Sequence, residues 1–96
     1  MHTDLKNFFS QYASFSEAEL EHITGKFTSK TVKKNEYLLR EGGTCKDLVF
    51  VQKGCLRLYY LREDIEVSVW FAFPRSSAIE INSFISEQPS HYFIQA

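Results

Sequence analysis

The residues of this sequence that could do acid–base, nucleophilic or metal chemistry are few and scattered. The two cysteines are Cys45 and Cys55, and the three histidines are His2, His22 and His91. A metal site in a small barrel needs several histidines and a carboxylate on neighbouring strands, and this sequence has no such spacing. It also has no glycine-rich phosphate loop and no nucleophile elbow. We therefore predict no metal, no cofactor and no enzymatic activity, with a small cupin-like metalloenzyme as the least favoured alternative.

The two cysteines are too few for a disulfide scaffold, or for an iron–sulfur cluster, which takes four protein ligands. In a reducing compartment we expect both thiols to be free. The first residues lack the basic and then apolar layout of a signal peptide. Apolar runs such as residues 69–73 are much too short to cross a bilayer. These features predict a cytoplasmic protein without a membrane partner.

The charge of the chain is nearly balanced, with 11 basic and 12 acidic residues among 96, a formal net charge of −1. Residues 1–48 hold seven residues of each sign, and residues 49–96 hold four basic and five acidic residues. A surface that binds nucleic acid or anionic lipid needs a local excess of positive charge. We therefore expect no direct DNA binding by these residues, whose number suits a single domain.

Two helices are indicated near the start of the chain. Apolar residues at positions 5, 8, 9 and 12 share one face of a helix. Ser16 and Glu19 have the spacing of a capping box, in which each side chain bonds the other residue's backbone N–H. A second helix should therefore begin at Glu17, and Gly25 is a suitable end for it.

From position 27 the hydrophobic period changes to two, which is typical of strands. Residues 48–52 and 55–61 are predicted to form a hairpin around Gly54, whose freedom at positive φ suits a tight connection. Alternation along residues 65–73 predicts a strand that buries positions 65, 67, 69, 71 and 73. Further strands are predicted at residues 28–33, 37–40 and 91–96, with a short helix at residues 80–87. Many short strands separated by turns indicate a mainly β sandwich or barrel, here a helix-flanked β-roll.

Two segments carry a recognisable pattern. The runs VKKNEYLLREG at residues 32–42 and LVFVQKGCLRL at residues 48–58 place glycine turns around an apolar strand. This pattern resembles the cyclic-nucleotide-binding-type sensor domain of Crp/Fnr transcriptional regulators. The later runs NSFI at residues 82–85 and QPS at residues 88–90 resemble the subgroup of that family with poorly defined effectors. The resemblance covers roughly residues 5–96.

The resemblance implies a jelly-roll barrel, or double-stranded β-helix, of cyclic-nucleotide-binding type with short N-terminal helices. Residues 1–96 would be a single sensor domain, with helices at about 3–25 and the β-roll at about 27–96. It also implies an unidentified small-molecule effector, a homodimer built on a long helix, and DNA contact only through a C-terminal helix-turn-helix. That helix and DNA reader are absent from this chain, so we expect an incomplete domain that is part of a longer regulator.

The resemblance also points to candidate ligand-binding residues. Cyclic-nucleotide binders of the family carry a Gly-Glu pair and, further along, an Arg-Ser or Arg-Thr pair. Aligning the closing strand on Ala96 places Ile79-Glu80 at the first pair and Ser90-His91 at the second. Glu80 remains and could accept a ribose hydroxyl proton, but the arginine that would grip a cyclic phosphate is gone. The implied ligand-binding residues are Glu80, Ile81, Asn82, Ser83, Ser90 and His91.

Two functional interpretations remain open beside the enzyme alternative. Without a guanidinium, a buried phosphate would lie against a neutral serine and histidine, which is costly. We therefore favour an effector-sensing domain that does not bind cyclic AMP by the usual phosphate cassette, in a pocket suited to a neutral or apolar ligand. The alternative is a genuine cyclic-nucleotide-binding regulatory module. A second role for Glu80, capping the local backbone, is common for a carboxylate near a helix start.

Overall fold

The chain divides between Thr31 and Val32 into two compact units. The computed structural model describes residues 2–96, with side chains from residue 3 onward. The first unit contains helix α1 (His2–Ser10) and helix α2 (Glu17–Thr24). The prediction of a single domain over residues 1–96 stays a prediction.

The capping box predicted for α2 is present. The Glu19 backbone N–H donates to Ser16 Oγ at 3.1 Å, and the Ser16 N–H donates to Glu19 Oε1 at 2.8 Å. These bonds satisfy backbone donors that the first turn of a helix leaves without partners, which is why α2 begins where it does. The predicted end at Gly25 is also confirmed, since its N–H donates to the Glu21 carbonyl at 2.9 Å.

The second unit consists of two antiparallel sheets and one short helix. The larger sheet has the strand order β1-β6-β3-β4, and the smaller sheet pairs β2 with β5. The predicted short helix and final strand are both present. The bounds are β1 (Tyr37–Leu39), β2 (Val49–Phe50), β3 (Leu56–Arg62), β4 (Ile65–Ala72), β5 (Ser77–Ala78), α3 (Ile81–Ser86) and β6 (Tyr92–Gln95).

One apolar core lies inside this unit and draws side chains from both sheets. Burial of such side chains stabilises the fold by about 1.5–3 kcal/mol each for the larger aliphatic ones. Because both sheets contribute, they close on a shared interior, as in a jelly roll. The buried members are Leu39, Cys45, Val51, Leu56, Ala72, Ala78 and Ile94.

Two strand predictions are wrong. Residues 28–33 form no strand, and the hairpin predicted for residues 48–61 does not exist, because β2 pairs with β5 while β3 pairs with β4 and β6. The chain does turn at Gly54, whose φ is +81°. The turn carries the chain from one sheet to the other instead of folding it back on itself. A strand needs a neighbour for its backbone groups, and hydrophobic alternation does not say which neighbour it will have.

The prediction that β4 buries one continuous face is also wrong, because the strand contains a β-bulge. Leu58 is opposite Trp70 and Tyr59 is opposite Ser68, so Val69 is an extra residue in β4. A bulge changes which face the following side chains occupy. Beyond it Trp70 shares the face of Leu58, whereas Phe71 lies on the other face and is 48% exposed. Within β4 only Ala72 is buried.

No helix within residues 2–96 is both long enough and apolar enough to span a membrane.

Candidate functional site

The carboxylate of Glu80 caps helix α3. Its Oε2 accepts a hydrogen bond from the Ser83 N–H at 3.0 Å, and its Oε1 accepts one from the Asn82 N–H at 3.3 Å. Glu80 has an extended backbone, with φ −93° and ψ 94°, and is buried. This is the geometry of an N-cap residue, in which the side chain satisfies the first free donors of the helix. Both carboxylate oxygens are therefore engaged by the protein itself.

Ser83 ties α3 to the loop that follows Gly43. Its buried Oγ accepts a hydrogen bond from the Cys45 backbone N–H at 2.8 Å and donates one to the carbonyl of Gln88. The helix ends at Glu87, which has a left-handed backbone with φ +61°. One hydroxyl group thus joins the helix, the turn after it and a distant loop.

Ser90 is held against the same loop by its backbone. Its N–H donates to the Gly43 carbonyl at 2.7 Å, and its carbonyl accepts from the Gly42 N–H at 2.9 Å. Gly42 has φ +91°, a conformation that glycine adopts without strain. The Ser90 side chain is buried, and its Oγ accepts a hydrogen bond from the N–H of Tyr92 at 3.0 Å. Tyr92 is the first residue of β6.

The structure separates the six predicted site residues into two groups. Glu80, Ser83 and Ser90 are buried and bonded within the protein, and both serines contact the loop of residues 42–45. The other three, Ile81, Asn82 and His91, are exposed. In the described part of the chain, no lysine or arginine forms a hydrogen bond or ion pair with any of the six. None of the six is therefore paired with a positively charged side chain.

A cavity of about 330 Å³ lies beside this segment and was missed by the sequence reasoning. Four of its lining side chains are apolar and one is a serine. The bulge at Val69 brings two consecutive residues of β4 to the wall of the cavity. The sequence does not predict this, because side chains of a regular strand point alternately to opposite faces. The lining residues are Leu58, Val69, Trp70, Ser77 and Ile79.

The opposite face of the large sheet carries an aromatic cluster that fixes β6. The ring of Tyr59 stacks on Phe93 with centroids 4.9 Å apart, and its hydroxyl is 2.9 Å from the Tyr37 hydroxyl. The Arg57 guanidinium lies 4.0 Å from the centre of the Tyr59 ring. Burial, together with the hydrogen bond that its hydroxyl shares with Tyr37, raises the pKa of Tyr59 to about 12. The cluster holds in register the strand that follows Ser90.

Within residues 2–96, no three histidine, cysteine, aspartate or glutamate side chains come together as a metal site would require. The described cysteines are both free thiols, with Cys45 buried and Cys55 partly buried.

Solved structures share this fold, among them the following two. The regulatory domain of Toxoplasma gondii PKA, crystallised with cAMP, superposes with a TM-score of 0.77 at 22% identity, covering 98% of this chain and 37% of that one. The sensor domain of the transcriptional regulator DNR from Pseudomonas aeruginosa gives a TM-score of 0.77 at 18% identity, covering 100% of this chain and 67% of that one. No family model matches the sequence. No curated protein matches it either.

These likenesses, with the two-sheet roll described above, establish the class of fold. The chain has the jelly-roll fold of cyclic-nucleotide-binding-type regulatory and sensor domains, so the predicted fold class is confirmed. The predicted resemblance to a Crp/Fnr sensor domain is confirmed as a likeness of fold. One neighbour is a regulatory domain and the other is a sensor domain.

Proposed function

We propose that this chain is the effector-sensing domain of a Crp/Fnr-like transcriptional regulator and does not bind cyclic nucleotides through the usual phosphate cassette. The observation that carries the proposal is the fold, which is shared with a regulatory domain and with the sensor domain of a transcriptional regulator. Fold alone does not determine a ligand, so the choice of effector depends on the site.

The charge of the site argues against a cyclic phosphate. The position aligned with the family's arginine is Ser90, whose Oγ is already bonded to the Tyr92 N–H. The nearby carboxylate of Glu80 is buried and would repel an anion. Removing a phosphate from water without a cationic partner costs several kcal/mol or more. The effector of such a site is an uncharged molecule.

The proposal extends to partners and mechanism. The full regulator works as a homodimer in the cytoplasm and contacts DNA through a helix-turn-helix outside these 96 residues. Binding of the small-molecule effector shifts the population between two arrangements of the dimer. The near-balanced charge of this chain supports a division of labour in which the DNA-binding surface lies elsewhere.

Titration calorimetry with cyclic AMP and cyclic GMP tests the proposal. We expect no binding tighter than roughly millimolar, about 4 kcal/mol of binding free energy. Micromolar binding of either nucleotide to the unmodified protein would overturn it. That result would favour the alternative of a genuine cyclic-nucleotide-binding module, a role which the cAMP-bound PKA neighbour makes worth testing.

A pair of variants checks the alignment of the cassette. Ser90→Arg places a guanidinium at the buried position, whereas His91→Arg adds the same charge at the exposed neighbouring position. We expect measurable cyclic AMP binding by the first variant only, once circular dichroism shows that it is folded. Equal behaviour of the two variants would mean that residue 90 does not face a phosphate site.

A further inference from the structure

We propose that a groove along helix α2 binds a small organic cation, an ammonium group attached to an apolar ring or chain. The groove has a volume of about 340 Å³, within the range of small-molecule sites, which begins at about 300 Å³. All of its lining residues belong to the first unit, and none is among the six predicted ligand-binding residues. The proposal therefore goes beyond the proposed effector and does not depend on it. The lining residues are Phe15, Ala18, Glu19, His22 and Ile23.

The groove lies on a side of α2 that the chain leaves uncovered. Leu20 and Thr24 make up the buried side of the helix. With about 3.6 residues per turn, Ala18 and His22 lie one turn apart on the opposite side. Both are exposed, as is Glu19. The groove is thus open to a molecule in solution.

Glu19 determines the charge of the ligand. Its Oε1 accepts a hydrogen bond from the Ser16 N–H at 2.8 Å, so the capping box holds the carboxylate in place. This hydrogen bond lowers the pKa of Glu19, and the carboxylate is charged at neutral pH. In the described part of the chain its Oε2 accepts no hydrogen bond, so this oxygen can accept one from a ligand.

No basic side chain among residues 3–96 forms an ion pair with this carboxylate. Lys6 forms its ion pairs with Glu17 and Glu21, which lie on another side of α2. A carboxylate without a basic partner attracts a cation and repels an anion. The charge of the groove therefore favours an ammonium group in the ligand.

The other lining residues determine the apolar part of the ligand. Phe15 and Ile23 are partly buried and, with Ala18, place hydrocarbon beside the carboxylate. Contact with these side chains removes apolar ligand surface from water, which is favourable. Aromatic rings also attract cations to their faces, so Phe15 favours the same ligand charge as Glu19.

A matched pair of probes tests the proposal on the unmodified protein. 2-Phenylethylamine is a cation, and 2-phenylethanol is a neutral analogue of nearly the same shape. Titrations are followed by two-dimensional ¹H–¹⁵N NMR at about pH 7.5, where histidine side chains are mostly neutral. We expect the amine to bind with a dissociation constant of about 1 mM. The alcohol should bind about fivefold more weakly.

The same titrations locate the bound amine. The backbone amide signals that shift should belong to residues 15–23, which contain the whole lining of the groove. Equal affinity for the two probes, no binding of the amine, or shifts centred on other residues would overturn the proposal.

A matched pair of variants tests the role of the carboxylate. Glu19→Gln removes the charge and keeps the capping box, because glutamine at this position can also accept from the N-cap N–H. We expect it to weaken amine binding about fivefold and to leave alcohol binding unchanged. Glu21→Gln makes the same change of charge on the side of α2 that faces Lys6. It should change amine affinity by less than about twofold.

Circular dichroism of both variants first shows that α2 is intact. Equal weakening by the two substitutions would mean that the net charge of the helix attracts the amine, and the groove would lose its role. Unchanged amine binding by Glu19→Gln would likewise overturn the proposal.

Discussion

Residues 80–90 and strand β4 belong to the same unit, yet they differ in which side chains they bury and which they expose. In residues 80–90, short polar groups are buried and paired, as with Glu80 and Ser83. In β4, large apolar groups stand half exposed, as with Trp70 and Phe71. Small substitutions in residues 80–90 should lower the free energy of unfolding considerably. Substitutions of the exposed side chains of β4 should lower it little, because those side chains are loosely packed.

The difference teaches which region maintains the structure and which has surface to offer a partner. Buried polar groups must be hydrogen-bonded, and once bonded they fix one backbone geometry. Exposed apolar surface is a cost to the free protein that covering by another molecule removes. Alternation in the sequence suggested a buried face along β4, which the structure does not have. The ligand-binding role that the family resemblance implies for Glu80 and its neighbours stays a prediction.

The largest effect should come from Ser83→Ala. The change removes the acceptor of the Cys45 N–H, leaving a buried donor without a partner. We expect the free energy of unfolding to fall by about 2 kcal/mol in urea denaturation. The control is Ser86→Ala at the exposed end of the same helix, where Ser86 Oγ accepts only from the Gln88 N–H. Equal losses in the two variants would contradict the role given to Ser83.

A smaller effect is expected from Glu80→Ala, which removes the N-cap of α3. The loss should be about 1 kcal/mol, the usual cost of losing such a cap. Glu80→Asp keeps a carboxylate that can accept from the start of the helix, so it should retain most of the stability. Thermal unfolding of both variants distinguishes a capping role of Glu80 from a role in ligand binding alone. If Glu80→Ala is as stable as the unmodified protein, the carboxylate is not a cap and a role in ligand binding gains weight.

The smallest effect is expected from Phe73→Ser, although it removes the largest side chain of the three. Phe73 is 58% exposed and stacks only loosely on Phe71, with centroids 6.4 Å apart. The free energy of unfolding should change by less than about 0.5 kcal/mol, as at most surface positions. Its buried neighbour Ala72 is the control, since Ala72→Ser places a hydroxyl in the core at a cost of about 1–3 kcal/mol. Similar losses in the two variants would mean that the chain has no open face where β4 ends.

Features that depend on neighbours in sequence were predictable. The capping box at Ser16 and Glu19 gave the start of α2, because both partners of each hydrogen bond lie within one helical turn. The short helix and the final strand were likewise predicted close to their observed bounds. For Glu80, the sequence left capping and ligand binding open, and both of its observed hydrogen bonds are those of a cap.

Features that depend on distant partners were not predictable. Val49 pairs with Ala78, and alternation within residues 48–52 contains no information about that choice. The bulge at Val69 has no signal such as a glycine, so the strand appeared regular. The cavity joins residues from β3, β4 and the segment at Ile79, which only the folded sheets bring together.

The position of β6 has a consequence for how the protein emerges from the ribosome. This strand is flanked by β1 and β3 in the large sheet, yet it follows both of them in the chain. Tyr37 of β1 can pair only after Gln95, its partner in β6, has been synthesised. Until then β1 has no neighbour, and only the β3–β4 hairpin of this sheet can form. Synthesis therefore delivers a central strand of the sheet after its neighbours, and a nascent chain short of β6 exposes two unpaired edges to whatever lies near the exit tunnel.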